Sequence, residues 1–371
     1  MKKGMIWGWS TCLTYETKKQ LGFDHYSRLL DQMKENGMKR LIVMMGSHYH
    51  FDPNNHGIAW PVTNPKLKPM LDTKAINANS STEFFSRVIE KAKKLKIEIY
   101  LEIKYAGFCG ILKGYPNIDF KINRDGVPYH ETMKYDSERE HILNSEAHIC
   151  HDSDQAQEYM KDKFEDVLRT YPKINGIVME HPSAYTCFCK SSQKKFRLAK
   201  GKSLFEATEE ERIEWQNERI RTVIADIITF VKGMKREIKF GFYSGFSPDD
   251  GNIERYQKLR GHKKETLQNT GADFIMPYME GRHKEKEEKN IEKVIEYMKP
   301  LDCYVHCTIR RNPPKTYSLP PKGPEYIDRV IKWAIDYYRK ADNFQGISFF
   351  NEVNIPEENR KAVYKGIQER G

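Results

Sequence analysis

The chain of 371 residues contains no apolar run approaching the roughly 18 residues a membrane-spanning helix requires, so no membrane partner is expected. It shows no leader either. Met1-Lys2-Lys3-Gly4 runs directly into the strand-like segment MIWGWST, which reads as a cytoplasmic chain by default, or a secreted or periplasmic one from which a leader has been removed. No Gly-rich phosphate turn follows that first segment, which argues against an open dinucleotide-binding sheet. Despite a net charge of +10, there is no basic block with interleaved aromatics, and no nucleic-acid partner is expected. The lysines lie in helical stretches such as Ile89 to Lys94, as on a solvated face. Cysteine is scarce and odd in number, at seven. Cys12, Cys109, Cys150, Cys303 and Cys307 lie in apolar or strand-end contexts, which fits reduced, buried thiols rather than a disulfide framework. With no low-complexity linker and no internal repeat, residues 1–371 read as a single domain.

What is present is one pattern repeated along the chain: a short apolar strand, a loop, an amphipathic helix and a tight turn. Strands are expected at Met5–Ser10, Arg40–Met45, Glu98–Ile103, Gly176–Met179, Lys239–Tyr243, Phe274–Tyr278, Cys303–Cys307 and Gly346–Phe350. Helices are expected at His25–Asn36, Thr82–Leu95, Gln155–Thr170, Glu209–Met234, Ile253–Asn269, Lys289–Met298, Tyr326–Lys340 and Glu357–Gln368. Eight such cycles are what a closed α/β barrel, the (β/α)8 TIM barrel, requires. The helix-to-strand turns are short, whereas the connections His48 to Ser81, Ala106 to Asp154 and His181 to Thr208 are long. In a barrel all strand-to-helix loops emerge at one face, so this asymmetry points to a substrate cleft at the strand C-termini.

The residues at those strand ends form one set. They are Trp9, then His48 and His50, Glu102, Glu180, Tyr243, Tyr278 with Glu280, His306 with Arg310, and Asn351 with Glu352. Carboxylates mixed with aromatics suit a carbohydrate: aromatic faces stack on a pyranose, and two carboxyl groups cleave the acetal. Glu180, which ends the apolar run Ile177-Val178-Met179 and is followed by His181-Pro182, is paired with Glu280 as the catalytic carboxyls of a glycoside hydrolase, expected to retain configuration. Trp9, His48, His50, Glu102, Tyr243, Tyr278, His306, Arg310, Asn351 and Glu352 are assigned to substrate binding. Arg310 would take a substrate carboxylate by a bidentate contact, or hold a structural ion pair.

No cofactor or metal is expected, but two motifs bear on metals. His48-x-His50 lies on one side of a strand, and with Glu180, His306 and Glu352 it defines an alternative reading, a metal-dependent sugar isomerase or hydrolase barrel. A non-catalytic carbohydrate-binding barrel is a further alternative. Cys187-Phe188-Cys189 opens like a zinc or iron site, and Cys150 or His151 could join it, but Lys190-Ser191-Ser192 supplies no further thiol, so packing thiols are expected.

Gly176 to Glu180, followed by Cys187-x-Cys189 and Lys194-Lys195-Phe196, resembles the fourth-strand region of a largely uncharacterised glycosyl hydrolase (β/α)8-barrel family. There an acidic residue ends the strand, and a Cys-x-Cys-x-x-Cys-x-x-x-Phe run opens the next helix; Ser192 stands here in place of the third cysteine. GMIWGWS and GISFFN are similar to the first and last strands of such barrels. The resemblance implies the same fold and reaction class, and leaves the sugar and the oligomeric state open.

Overall fold

The computed structural model describes residues 4–12, 22–46, 57–71, 83–108, 110–127, 146–180, 186–244, 252–279, 287–309 and 322–370. His48, His50, Glu280 and Arg310 lie outside them. Eight parallel strands close into a barrel: β1 (Ile6–Cys12), β2 (Arg40–Met44), β3 (Glu98–Lys104), β4 (Gly176–Glu180), β5 (Lys239–Tyr243), β6 (Phe274–Met276, continued by Tyr278–Met279), β7 (Asp302–Thr308) and β8 (Phe344–Phe350). The strands pair in chain order, and β8 pairs with both β7 and β1, which leaves the sheet no open edge.

Helices cover the outside. They are α1 (Phe23–Glu35), α2 (Glu83–Leu95), α3 (Asp154–Thr170), α4 (Lys190–Lys200), α5 (Glu209–Met234), α6 (Ile253–Leu259), α7 (Lys264–Gln268), α8 (Glu287–Tyr297), α9 (Pro324–Tyr338) and α10 (Glu357–Arg370). The helix expected over Ile253–Asn269 is broken in two at Gly261, which takes a left-handed φ of +80°. The start of α5 is set by a capping box, in which Thr208 and Glu211 satisfy each other's backbone N–H groups. α4 lies inside the connection expected to run from His181 to Thr208.

Strand side chains alternate between the helix layer and the barrel interior. The interior set includes Ile42, Tyr100, Val178, Tyr243, Phe274, Met276 and Tyr304. Two glycines make room for the large rings: a Cβ on Gly176 would lie 2.1 Å from the Tyr100 ring, and one on Gly241 2.3 Å from Phe274. At the N-terminal end Arg40 plugs the interior. Its guanidinium lies 4.2 Å from the Tyr100 ring centre and 4.1 Å from that of Tyr304, and donates to Glu98 at 2.8 Å. The guanidinium thereby fills the floor of the barrel interior.

Alternation also corrects one expectation. Trp9 faces the helix layer, not the cleft: it is fully buried, its Nε1 donates to Tyr364 Oη at 3.3 Å, and it packs on Phe349. Its neighbours Gly8 and Ser10 take the positions that pair with the interior residues Arg40 and Ile42.

Candidate active site

Five of the expected residues meet at the C-terminal end of the barrel. Parallel register sets Glu102 opposite Val178 and Lys104 opposite Glu180. Glu180 therefore lies two residues closer to the mouth than Glu102, on the adjacent strand. Both are buried, and their carboxyl groups hydrogen-bond to each other. Burial first, and then the Glu180 charge, push the Glu102 carboxyl well above the usual carboxylate range. Tyr243 Oη donates to Glu102 Oε2 at 2.7 Å and fixes its orientation. Two buried carboxyls this close cannot both ionise at low cost, so Glu102 is biased towards its protonated form.

Aromatic groups form the wall beside the pair. Tyr243 stacks on Tyr278 with ring centres 4.8 Å apart. His306 meets both edge-on, at 4.9 Å from Tyr243 and 5.1 Å from Tyr278, and lies 5.0 Å from Phe350. Tyr278 is only partly buried.

The last strand departs from the expectation. Glu352 is buried, but its carboxylate is held by His25 Nε2 at 3.1 Å and by Arg360. Burial works to raise this carboxyl, yet the His25 hydrogen bond and the Arg360 charge outweigh it and hold it below the usual range. Asn351 is fully buried and accepts from the Val353 N–H at 3.1 Å, capping a helical turn. The assignment of Glu352 to substrate binding is therefore corrected: its side chain locks the end of β8 to α1 and α10, while Asn351 caps the turn that follows the strand.

One charged group near the pair escaped the sequence reading. Lys163 of α3 is buried, donates to the Lys104 carbonyl at 2.7 Å and lies 4.7 Å from the Phe108 ring centre. Burial and the Lys104 charge lower its pKa well below the ordinary lysine value, while Glu180 pulls it upward. The signal was present: Lys163 falls in the helical series Tyr159, Met160, Phe164, Val167, which is otherwise apolar and buried.

Beyond β4, Cys187 and Cys189 meet Cys150, which arrives from the β3-to-α3 connection, and all three are buried. Among the described residues this is the one group of three or more His, Cys, Asp or Glu side chains placed to share an ion. Hydrogen bonds from the Cys150 and Cys189 thiols pull the Cys187 thiol below its ordinary value.

No family model and no curated protein sequence matches the chain. Its fold does match solved structures. The PgaB (BpsB) glycoside hydrolase domain from Bordetella bronchiseptica is 11% identical with a TM-score of 0.70, over 99% of this chain and 98% of that one. A β-galactosidase from Rahnella sp. R3 is 13% identical with a TM-score of 0.61, over 99% of this chain and 56% of that one. A GH20 exo-β-N-acetylglucosaminidase from Vibrio harveyi is 11% identical with a TM-score of 0.59, over 98% and 54%. The chain thus spans nearly the whole of the first structure and little more than half of the other two. At these identities the likeness establishes the barrel fold.

Proposed function

We propose that the chain is a glycoside hydrolase that cleaves an oligo- or polysaccharide at the C-terminal face of the barrel. The observation that carries the reading is the buried, hydrogen-bonded carboxyl pair Glu102–Glu180 beside an aromatic wall. A protonated carboxyl in a dry pocket is what delivers a proton to a glycosidic oxygen. Glu180, nearer the mouth, is the general acid; Glu102, deeper and held by Tyr243, supplies the shared proton. The ring of Tyr278 is the stacking platform for a pyranose, with His306 at its edge. That all three solved structures named above are glycoside hydrolases, and that the first is matched along nearly its full length, supports the same reaction class here.

Hydrogen-bonded carboxyls are too close to act as the two opposed groups of either mechanism, which stand about 5–5.5 Å apart for retention and about 6.5–9.5 Å for inversion. Glu102 and Glu180 therefore act as one acid unit, and a second carboxylate must face them. Glu280, three residues past Pro277 on the way out of β6, is the residue we assign to it, as the nucleophile of a retaining reaction. The metal-dependent alternative is weakened because Glu352 is spent on His25 and Arg360. The test is hydrolysis of a panel of aryl glycosides and oligosaccharides by wild type and Glu180→Gln. Turnover by wild type that falls steeply in the variant is expected; equal turnover by both would refute the assignment of Glu180.

A further inference from the structure

The three-thiol cluster beyond β4 has the geometry of a metal centre, although no single stretch of sequence spells one. Cys187 and Cys189 flank one residue, and the position where a third thiol would open α4 is Ser192. Cys150 makes up the number from the β3-to-α3 connection, and all three Sγ atoms lie within 4.8 Å of one another. In a tetrahedral zinc site with Zn–S near 2.3 Å, the sulfurs stand about 3.8 Å apart, so small side-chain rotations close the trio on a single ion. Such spacing is too tight for an iron–sulfur cubane, whose thiolates bind different irons.

The fourth position is also filled. Ser192 Oγ lies 3.2 Å from Cys150 Sγ and 3.6 Å from Cys189 Sγ. The S···O edge of a tetrahedron with one oxygen ligand is about 3.5 Å. The same hydroxyl reaches Asp152 Oδ2 at 2.7 Å, and Asp152 Oδ1 accepts from Arg219 Nε at 2.6 Å. A hydroxyl oriented by a carboxylate, itself held by a guanidinium, is the outer layer expected around a ligand oxygen.

A second, independent observation is the backbone. Three N–H groups point at the three sulfurs: Asp152 N to Cys150 Sγ at 3.3 Å, Cys189 N to Cys187 Sγ at 3.5 Å, and Ser192 N to Cys189 Sγ at 3.5 Å. Donors aimed at every sulfur stabilise thiolates, the form that binds metal. The Ser192 N–H bond also caps α4, but packing alone gives no role to the other two or to the buried Ser192–Asp152 pair held by the half-buried Arg219.

We propose that Cys150, Cys187 and Cys189 bind one zinc ion as thiolates, with Ser192 Oγ as a neutral fourth ligand. Binding displaces the protons still held by the thiols. With two charges on the ion and three on the sulfurs, the site keeps a single negative charge, and Arg219 lies behind Asp152 to offset it. All four positions come from protein, so the role is structural. The ion clamps the chain entering α3 to the chain entering α4. The proposal replaces the expectation of packing thiols and does not depend on the reaction assigned to the barrel.

The test uses the full chain, reduced and stripped of metal, titrated with Co2+ and then Zn2+. One equivalent of Co2+ is expected to raise an intense thiolate-to-cobalt charge-transfer band that Zn2+ abolishes. Ser192→Cys is expected to tighten Co2+ binding about tenfold or more, and Asp152→Asn to weaken it about 10–100-fold. Should a variant fail to fold, wild type still decides: zinc is expected to protect Cys150, Cys187 and Cys189 from alkylation under conditions that label them in the stripped protein. A titration with no charge-transfer band, or a disulfide among the three in freshly isolated protein, would overturn the site.

Discussion

Replacing Glu102 by Gln should stabilise the protein while destroying its activity, and the stabilisation should grow with pH. Glu102 is buried against another carboxyl, and its folded pKa lies well above the 4.5 of the exposed group. Below pH 4.5 the carboxyl is protonated in both folded and unfolded chains, and the group leaves stability unaffected. Above 4.5 the unfolded chain releases the proton and the folded one keeps it, so stability falls by about 1.4 kcal/mol for each pH unit until the folded pKa is reached. Gln is nearly isosteric, cannot ionise, and keeps an oxygen for the Tyr243 hydroxyl, which donates to Glu102 at 2.7 Å. The free-energy difference between variant and wild type should therefore climb by about 1.4 kcal/mol per pH unit as the pH rises from 4.5 towards neutrality. Urea unfolding of both proteins across that range, with matched denaturant slopes, measures it. A difference that stays flat would show that Glu102 ionises normally, and the shared-proton pair would fail with it.

Three further outcomes follow from other parts of the barrel. Asp166 of α3 accepts from Trp60 Nε1 at 2.8 Å and from the N–H groups of Thr63 at 2.9 Å and Asn64 at 2.8 Å. Asp166→Ala leaves those donors without an acceptor and should cost about 3–5 kcal/mol, read as a fall in the unfolding midpoint. At the barrel floor, Arg40→Ala should cost about 2–4 kcal/mol through the lost contacts with Tyr100 and Tyr304 and the void left behind, whereas Arg40→Met, which fills the space, should cost much less; thermal unfolding of both distinguishes them. A 2-fluoroglycoside that traps a covalent intermediate should label the peptide carrying Glu280, read by mass spectrometry, and a label on another carboxylate would reassign the nucleophile.

The barrel was legible because its strands, buried on both faces, read as short apolar runs between amphipathic helices. That same continuity hid the parity of β1. In MIWGWS neither face is polar enough to announce itself, so Trp9 was placed at the cleft when Gly8 and Ser10 face the interior. Glu180 was legible as a charge ending an apolar run. Its contact with Glu102 was not, because register between β3 and β4 is set by closure of the whole sheet. Asn351-Glu352 carried the same local signature as Glu180, but Glu352 is held by Arg360 of the following helix and by His25, which lies 327 residues away along the chain. The cysteine cluster was legible in part: Cys187-x-Cys189 and the candidate Cys150 stand out, but Cys150 lies 37 residues before Cys187 and only the fold brings the three thiols together.

General acid catalysis by Glu180 is the central claim, and its most direct test is the dependence of turnover on the leaving group. In Glu180→Gln, aryl glycosides whose phenols leave without protonation should be cleaved nearly as fast as by wild type. Substrates with poor leaving groups should slow by about 10²–10⁴-fold. A loss that is the same for good and poor leaving groups, or no loss at all, would contradict the account.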